Sequence, residues 1–114
     1  MKVKTSELIG DVLDCAVAKC EGLNIELIYW QTNGPHYSTN WAQGGPIIER
    51  EGLETRVHAV HNGVIVSWAC EKEWLTGTFE LGALGPTPLI AAMRCYVTSK
   101  LGDEVEIPDE LIGE

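Results

Sequence analysis

Trp30, Tyr37 and Trp41 stand in or beside a ten-residue segment, Gln31 to Asn40, made largely of Gly, Pro, Asn, Ser and Thr. That composition predicts a loop, and loops of this length in a compact domain are often functional. Trp and Tyr join a large apolar face to a polar handle, which suits them to stacking on a planar ligand. Arg50, Arg56 and Arg94 add forked donors that fit phosphate or carboxylate. The helix entries expected after Gly45 and after Pro86 would present backbone N–H groups to an anion. Stacking plus anion capture is the chemistry of a nucleotide-sized binding site. Its expected residues are Trp30, Tyr37, Trp41, Arg50 and Arg94. The plainer alternative fills a small core with the Trp residues and pairs the arginines with surface acids.

Catalytic signatures are missing. The chain has no G-x-S-x-G elbow, P-loop, G-x-G-x-x-G or H-E-x-x-H. Cys15 and Cys20 are five apart, and Cys70 and Cys95 are isolated, so no zinc-ligand pairing is visible. They read as small buried hydrophobes. His58 and His61 sit at an odd separation on an expected strand. They therefore point to opposite faces and cannot share an ion. By the same register, Cys70 and His58 face apart, which argues against a thiol–imidazole dyad. The expectation is a non-enzymatic protein with no cofactor and no metal.

Charge restricts the partners. The 114 residues carry 17 acids and 8 bases, a net charge of −9. Six of those acids and no base fall between Asp103 and Glu114. No cluster of bases suggests displacement of counterions from phosphates, so direct nucleic-acid binding is not expected. The composition, 45% hydrophobic and 22% charged, is that of a globular domain rather than a disordered acidic chain. No apolar run reaches the ~20 residues of a membrane span, and Met1–Glu7 lacks the apolar stretch of a signal peptide. A cytoplasmic protein without membrane contact is expected.

The elements that must position these residues follow from periodicity. Val3–Leu8 is a short extended segment. Val12, Leu13, Ala16, Val17 and Cys20 recur at helical spacing and predict a helix over 10–21, stopped by Gly22. Asn24–Trp30 reads as a strand. Gly44–Gly52 reads as a short helix with Pro46 in its first turn. Asn62-Gly63 is the preferred pair for a type I′ turn. It predicts a hairpin pairing His61 with Val64, Ala59 with Val66, Val57 with Trp68 and Thr55 with Cys70, with that face turned to the core. Residues 71–84 fit either a covering loop or an edge strand. Thr87 and Pro88 open the strongest helix, whose apolar stripe is Leu89, Ala92, Met93, Tyr96, Val97 and Leu101. The sum is an α+β fold: a small antiparallel sheet with a type I′ hairpin, packed by N- and C-terminal helices. One domain is expected over 1–102, with an acidic tail over 103–114. A core this modest makes homo-oligomeric assembly a plausible partner interaction.

Two blocks carry a family resemblance. One runs Thr39-Asn40-Trp41-Ala42-Gln43-Gly44-Gly45-Pro46-Ile47-Ile48-Glu49-Arg50-Glu51. The other runs from Gly85-Pro86-Thr87-Pro88-Leu89-Ile90-Ala91-Ala92-Met93-Arg94-Cys95-Tyr96-Val97 to Gly102-Asp103-Glu104-Val105. With Lys4–Leu8 and Ala16–Gly22, the chain resembles the NinX-like proteins of tailed phages and prophages. Cys15 stands where that pattern has an aromatic such as Trp. The resemblance implies a phage accessory protein made in a bacterial cytoplasm, with no catalytic or binding residues to carry over. By analogy, small phage accessory proteins blunt host defences by binding a host protein or by sequestering a nucleotide-derived signal. The resulting expectation is anti-defence capture of a small anionic, nucleotide-derived host signal. The alternative is an acidic protein that binds and inhibits a basic host protein by charge mimicry.

Overall fold

The structure, a computed structural model, describes residues 1–25, 34–72 and 81–112. The fold is α+β, with helices from both ends of the sequence packed on small antiparallel sheets. Strand β1 (Lys2–Lys4) leads through one turn of 3-10 helix to helix α1 (Gly10–Cys20). Helix α2 (Trp41–Glu51) precedes strands β2 (Glu54–His61), β3 (Val64–Lys72) and β4 (Leu81–Gly85). Helix α3 (Pro88–Leu101), strand β5 (Glu104–Glu106) and the short helix α4 (Asp109–Ile112) follow. The strand expected over Asn24–Trp30 lies almost wholly outside the described residues. Of the segment 71–84, residues 81–84 belong to the edge strand β4 and residues 73–80 lie outside the description.

Helix α3 is the centre of the molecule. Its cap is the expected one: the Thr87 hydroxyl accepts from the Ile90 amide at 3.1 Å, and Pro88 follows at the first position. Its burial is wider than the apolar stripe suggests. Leu89 through Met93 and Cys95 through Val97 are all buried, as befits a helix surrounded by neighbours rather than laid on a surface. Leu13, Val17 and Leu8 meet it from the N-terminal side, and Cys70 from the sheet. Cys15 is also fully buried in this core. Burial pushes the Cys15 thiol up to about 11 and Cys20 up to about 12, so both stay protonated and unreactive at neutral pH.

Helix α2 begins earlier than the glycines and proline imply. Asn40 is its N-cap, and its side chain accepts from the Ala42 amide at 2.8 Å. Pro46 therefore sits inside the helix rather than in its first turn, on an exposed position where the carbonyl left without a partner can meet water.

The hairpin turn is type I′ in sign, with φ of +52° at Asn62 and +80° at Gly63. Thr55, Val57 and His61 pair with Cys70, Trp68 and Val64 as the turn dictates. Between them the expected pairing fails. Ala59 faces Ser67 instead of Val66, because the register shifts between Val57 and Ala59 and shifts back before Val60. One residue on each strand is bulged out, which increases local twist. The twist carries the tip away from the core: Val60, Val64, Ile65 and Val66 are exposed, while only the Cys70 end of the predicted inner face is fully buried. Replacing Gly63 with Val should strain the turn, since a β-branched residue resists positive φ. The expected loss is about 1–2 kcal/mol. An unchanged melting temperature would reject this account of the turn.

The acidic segment after Gly102 joins the fold. β5 pairs antiparallel with β1, Val105 opposite Val3. Val105 and Ile107 are 3% and 1% exposed. The Ile107 amide also donates to the Met1 carbonyl at 2.9 Å.

Candidate functional site

The expected ligand residues divide into two groups. Trp30 lies outside the described residues. Tyr37, Trp41 and Arg50 belong to α2 and the turn before it, whereas Arg94 occupies a different side of α3. Arg94 is two residues from Tyr96, which is bonded to Arg50, so the two side chains leave the helix in nearly opposite directions.

Around α2 the donors are already spent within the protein. Arg50 grips Glu21 with Nη1 at 3.1 Å and Nη2 at 2.7 Å, reaches Glu51 with Nε at 2.9 Å, and donates to the Tyr96 hydroxyl at 3.0 Å. The Tyr96 hydroxyl itself donates to Glu21 at 2.5 Å. Lys72 and Lys100 lie on Glu51 at 3.2 and 3.7 Å. The Arg50 guanidinium holds the Glu21 carboxyl below its usual range, while burial and the Glu21 charge push the Tyr96 hydroxyl well up. This cluster fastens the end of α1 to α2, α3 and β3. The Arg50 guanidinium sits near solvent, so its pairs are worth more geometrically than energetically, whereas Lys72 and Glu51 are mostly buried. Tyr37 is half-buried against the core, and Trp41, the first residue of α2, is 55% exposed. The α2 N-terminus is likewise engaged. The Ala42 amide is taken by the Asn40 side chain, and those of Gln43 and Gly44 by the Asn40 carbonyl.

A cleft of about 1280 Å³ opens on the other side. Its walls come from six elements that sequence spacing could not bring together, the edge strand β4 among them. Lys4 and Ser6 stand at the end of β1, Arg56 and His58 on β2, Glu71 on β3, Arg94 and Thr98 on α3, and Asp103 and Glu104 at β5. Arg56 reaches across the sheet to pair with Glu71. Arg94 behaves differently. Its Nε donates to the Leu8 carbonyl and its Nη1 to the Leu84 carbonyl, both at 2.8 Å. No carboxylate among the described residues lies within ion-pair distance of it. Burial lowers its pKa from the ordinary arginine value, yet a guanidinium so far above neutrality stays charged. Two carbonyls fix its plane without cancelling its charge, and the edge strand β4 thereby gains a partner for one free carbonyl. The bulge near Ala59 lies close to His58, on the strand that forms one wall.

Sequence reasoning identified Arg94 but not Lys4, Arg56 and His58 as its companions. The alternation of the hairpin did place Arg56 and His58 on one face, and that was the available signal. The Cys70 thiol lies in the core beneath this sheet, away from His58, so no dyad is assembled.

No helix among the described residues is long and apolar enough to cross a membrane. A search of curated proteins finds no match to the chain. A family model described as bacteriophage P22 NinX matches residues 4–100. That span includes α1, α2, the first block quoted above, and α3 up to Lys100. The chain belongs to the bacteriophage P22 NinX family.

Proposed function

We propose that this chain is a non-enzymatic phage accessory protein that captures a small anionic, nucleotide-derived host signal in the Arg94 cleft. The observation that carries the reading is Arg94 itself, a half-buried guanidinium held by two carbonyls and balanced by no described carboxylate. Lys4 and Arg56 line the same cleft and with Arg94 offset its three carboxylates, so the cleft is locally balanced in a chain whose net charge is −9. The cleft volume is at or above the ~300–1,000 Å³ typical of small-molecule sites, which leaves room for a dinucleotide. Glu71, Asp103 and Glu104 at its rim suit hydroxyl or amino groups of such a ligand. Capture would take place in the host cytoplasm and serve anti-defence by lowering the free signal.

Calorimetric titration with cyclic dinucleotides, cyclic ADP-ribose and ADP-ribose tests this. At least one should bind with an affinity that falls as salt rises. Lys4→Ala and Arg94→Gln should each weaken it roughly tenfold or more, the worth of a hydrogen bond to a charged group. A melting curve for each variant separates lost binding from lost folding. If the parent protein binds none of these ligands, the capture reading is overturned.

A second reading is docking on a basic host protein by charge mimicry. Asp103, Glu104 and Asp109 support it, since they are exposed on an ordered edge of the fold rather than on a free tail. Neutralising those three together should abolish such docking, whereas Asp109→Asn alone, outside the cleft, should weaken docking and leave nucleotide binding in place.

A further inference from the structure

Asp11 and Asp14 stand three apart on α1, so both carboxylates emerge from one face of the helix. The turn before α2 lies over that face. The Ser38 amide donates to Asp14 Oδ1 at 2.8 Å, and this bond places His36 Nδ1 3.9 Å from Asp14 Oδ2. His36 is tied down separately, its amide donating to Gln43 Oε1 at 2.7 Å and its carbonyl accepting from the Thr39 and Asn40 amides. One donor atom each from Asp11, Asp14 and His36 fall within 4.8 Å of one another.

We propose that Asp11, Asp14 and His36 form a binding site for a divalent first-row transition-metal cation. Two carboxylate oxygens and one imidazole nitrogen suit zinc or manganese better than calcium or magnesium, which favour oxygen alone. The Ser38 hydroxyl is an independent pointer to a missing partner. Ser38 is 1% exposed and its Oγ completes no hydrogen bond among the described residues, although it stands close enough to the Asp14 carboxylate to lower that group's pKa. A buried hydroxyl left in that state is costly unless something completes it. Asp14 points the same way. Its carboxylate is almost fully buried, burial raises its pKa, and the nearest basic group is an imidazole beyond hydrogen-bond distance. A bound cation would balance the Asp14 charge and keep its carboxylate ionised as the acceptor for the Ser38 hydroxyl. The Ser38 amide already orients one carboxylate oxygen and leaves the other to the metal, as supporting hydrogen bonds do in metal sites.

The arrangement needs little movement. Ligands ~2.0–2.1 Å from a tetrahedral ion lie ~3.3 Å apart. The atoms must therefore close by up to about 1.5 Å, which the half-exposed His36 and the exposed Asp11 can supply by rotation. The solvent side of these two residues is the entry path, and the remaining coordination positions fall to water. Neither the sequence spacing nor the α2 cluster reveals this site, because His36 reaches α1 only through the fold. It is separate from the Arg94 cleft, and its failure would leave the capture reading intact.

The full chain, dialysed against a chelator and then titrated with Zn²⁺ and with Mn²⁺ by calorimetry, gives the test. One equivalent of Zn²⁺ should bind, raise the melting temperature and shift the His36 imidazole resonances in NMR spectra. Asp11→Asn, at an exposed position, and His36→Ala should each weaken binding at least about tenfold. His61→Ala should leave it unchanged. Absence of saturable binding at one equivalent overturns the proposal, and so does binding that survives both Asp11→Asn and His36→Ala. Should His36→Ala fail to fold, Asp11→Asn and the His36 resonances of the parent protein decide.

Discussion

Gly44→Ala should cost about 3 kcal/mol or more, the upper range for overpacking a filled site. At an open helical position the same change stabilises by about 1 kcal/mol, because glycine is the poorer helix former. Gly44 is not open. A methyl there would lie 2.3 Å from the Tyr37 carbonyl oxygen and 2.7 Å from Leu89 Cδ1. Leu89 can rotate, but a backbone carbonyl cannot. The turn carrying Tyr37 must lift from α2, and the Ser38 amide would be drawn off Asp14 with it. The neighbouring glycine supplies the control. A methyl on Gly45 meets nothing closer than Trp41 Cε3 at 3.9 Å, so Gly45→Ala should be neutral or stabilising. For a domain of this size the Gly44→Ala loss corresponds to a fall in melting temperature of roughly 10–20 °C. Melting curves of the two variants that coincide would refute the close contact.

Ending the chain at Gly102 should abolish cooperative melting. Removing residues 103–114 strips Val105 and Ile107 from the core, each worth about 1.5–3 kcal/mol of burial. It also takes the strand that pairs β1 and the Asp103 carbonyl that accepts from the Thr5 amide at 2.8 Å. Val3 would then lose the strand opposite it. The total approaches the whole stability of a small domain, about 5–15 kcal/mol. Circular dichroism of the shortened chain should show no sigmoidal transition on heating. A sharp transition near that of the parent would mean that the C-terminal segment is dispensable. The charge of this region is therefore better probed by Asp103→Asn, Glu104→Gln and Asp109→Asn, which leave the buried residues in place.

Local geometry was legible in the sequence wherever one residue type answers to one backbone need. Asn62-Gly63 states the sign of φ, and Thr87-Pro88 states where α3 begins. The start of α2 was hidden because Asn40 and Pro46 both look like openings, and only the side-chain bond to the Ala42 amide decides between them. The bulges in the hairpin left no mark in its alternation, since the extra residue on each strand shows only once the two strands are paired. Arg94 was recognised as an anion-binding type, but its partners in the cleft come from β1, β2 and β5. Their meeting depends on the β1–β5 pairing, which no local pattern encodes. Arg50 illustrates the converse. Its type fits a ligand, yet Glu21, which follows a different helix, claims two of its donors.

The pairing of β1 with β5 also sets an order of events during synthesis. Lys2 emerges from the ribosome about a hundred residues before Glu106, its partner across the ribbon. At ordinary translation rates of ~5–20 residues per second that delay is roughly 5–20 s. The β2–β3 hairpin closes on the microsecond scale and can form once Lys72 has emerged, well before Glu106 does. The β1 strand and the underside of α1 must remain without their partners until the last turn of α3 and β5 are released. The nascent chain is thus a formed hairpin followed by an unsealed core. Its exposure to proteases and chaperones is governed by the time taken to make the final dozen residues, rather than by the stability of the finished fold.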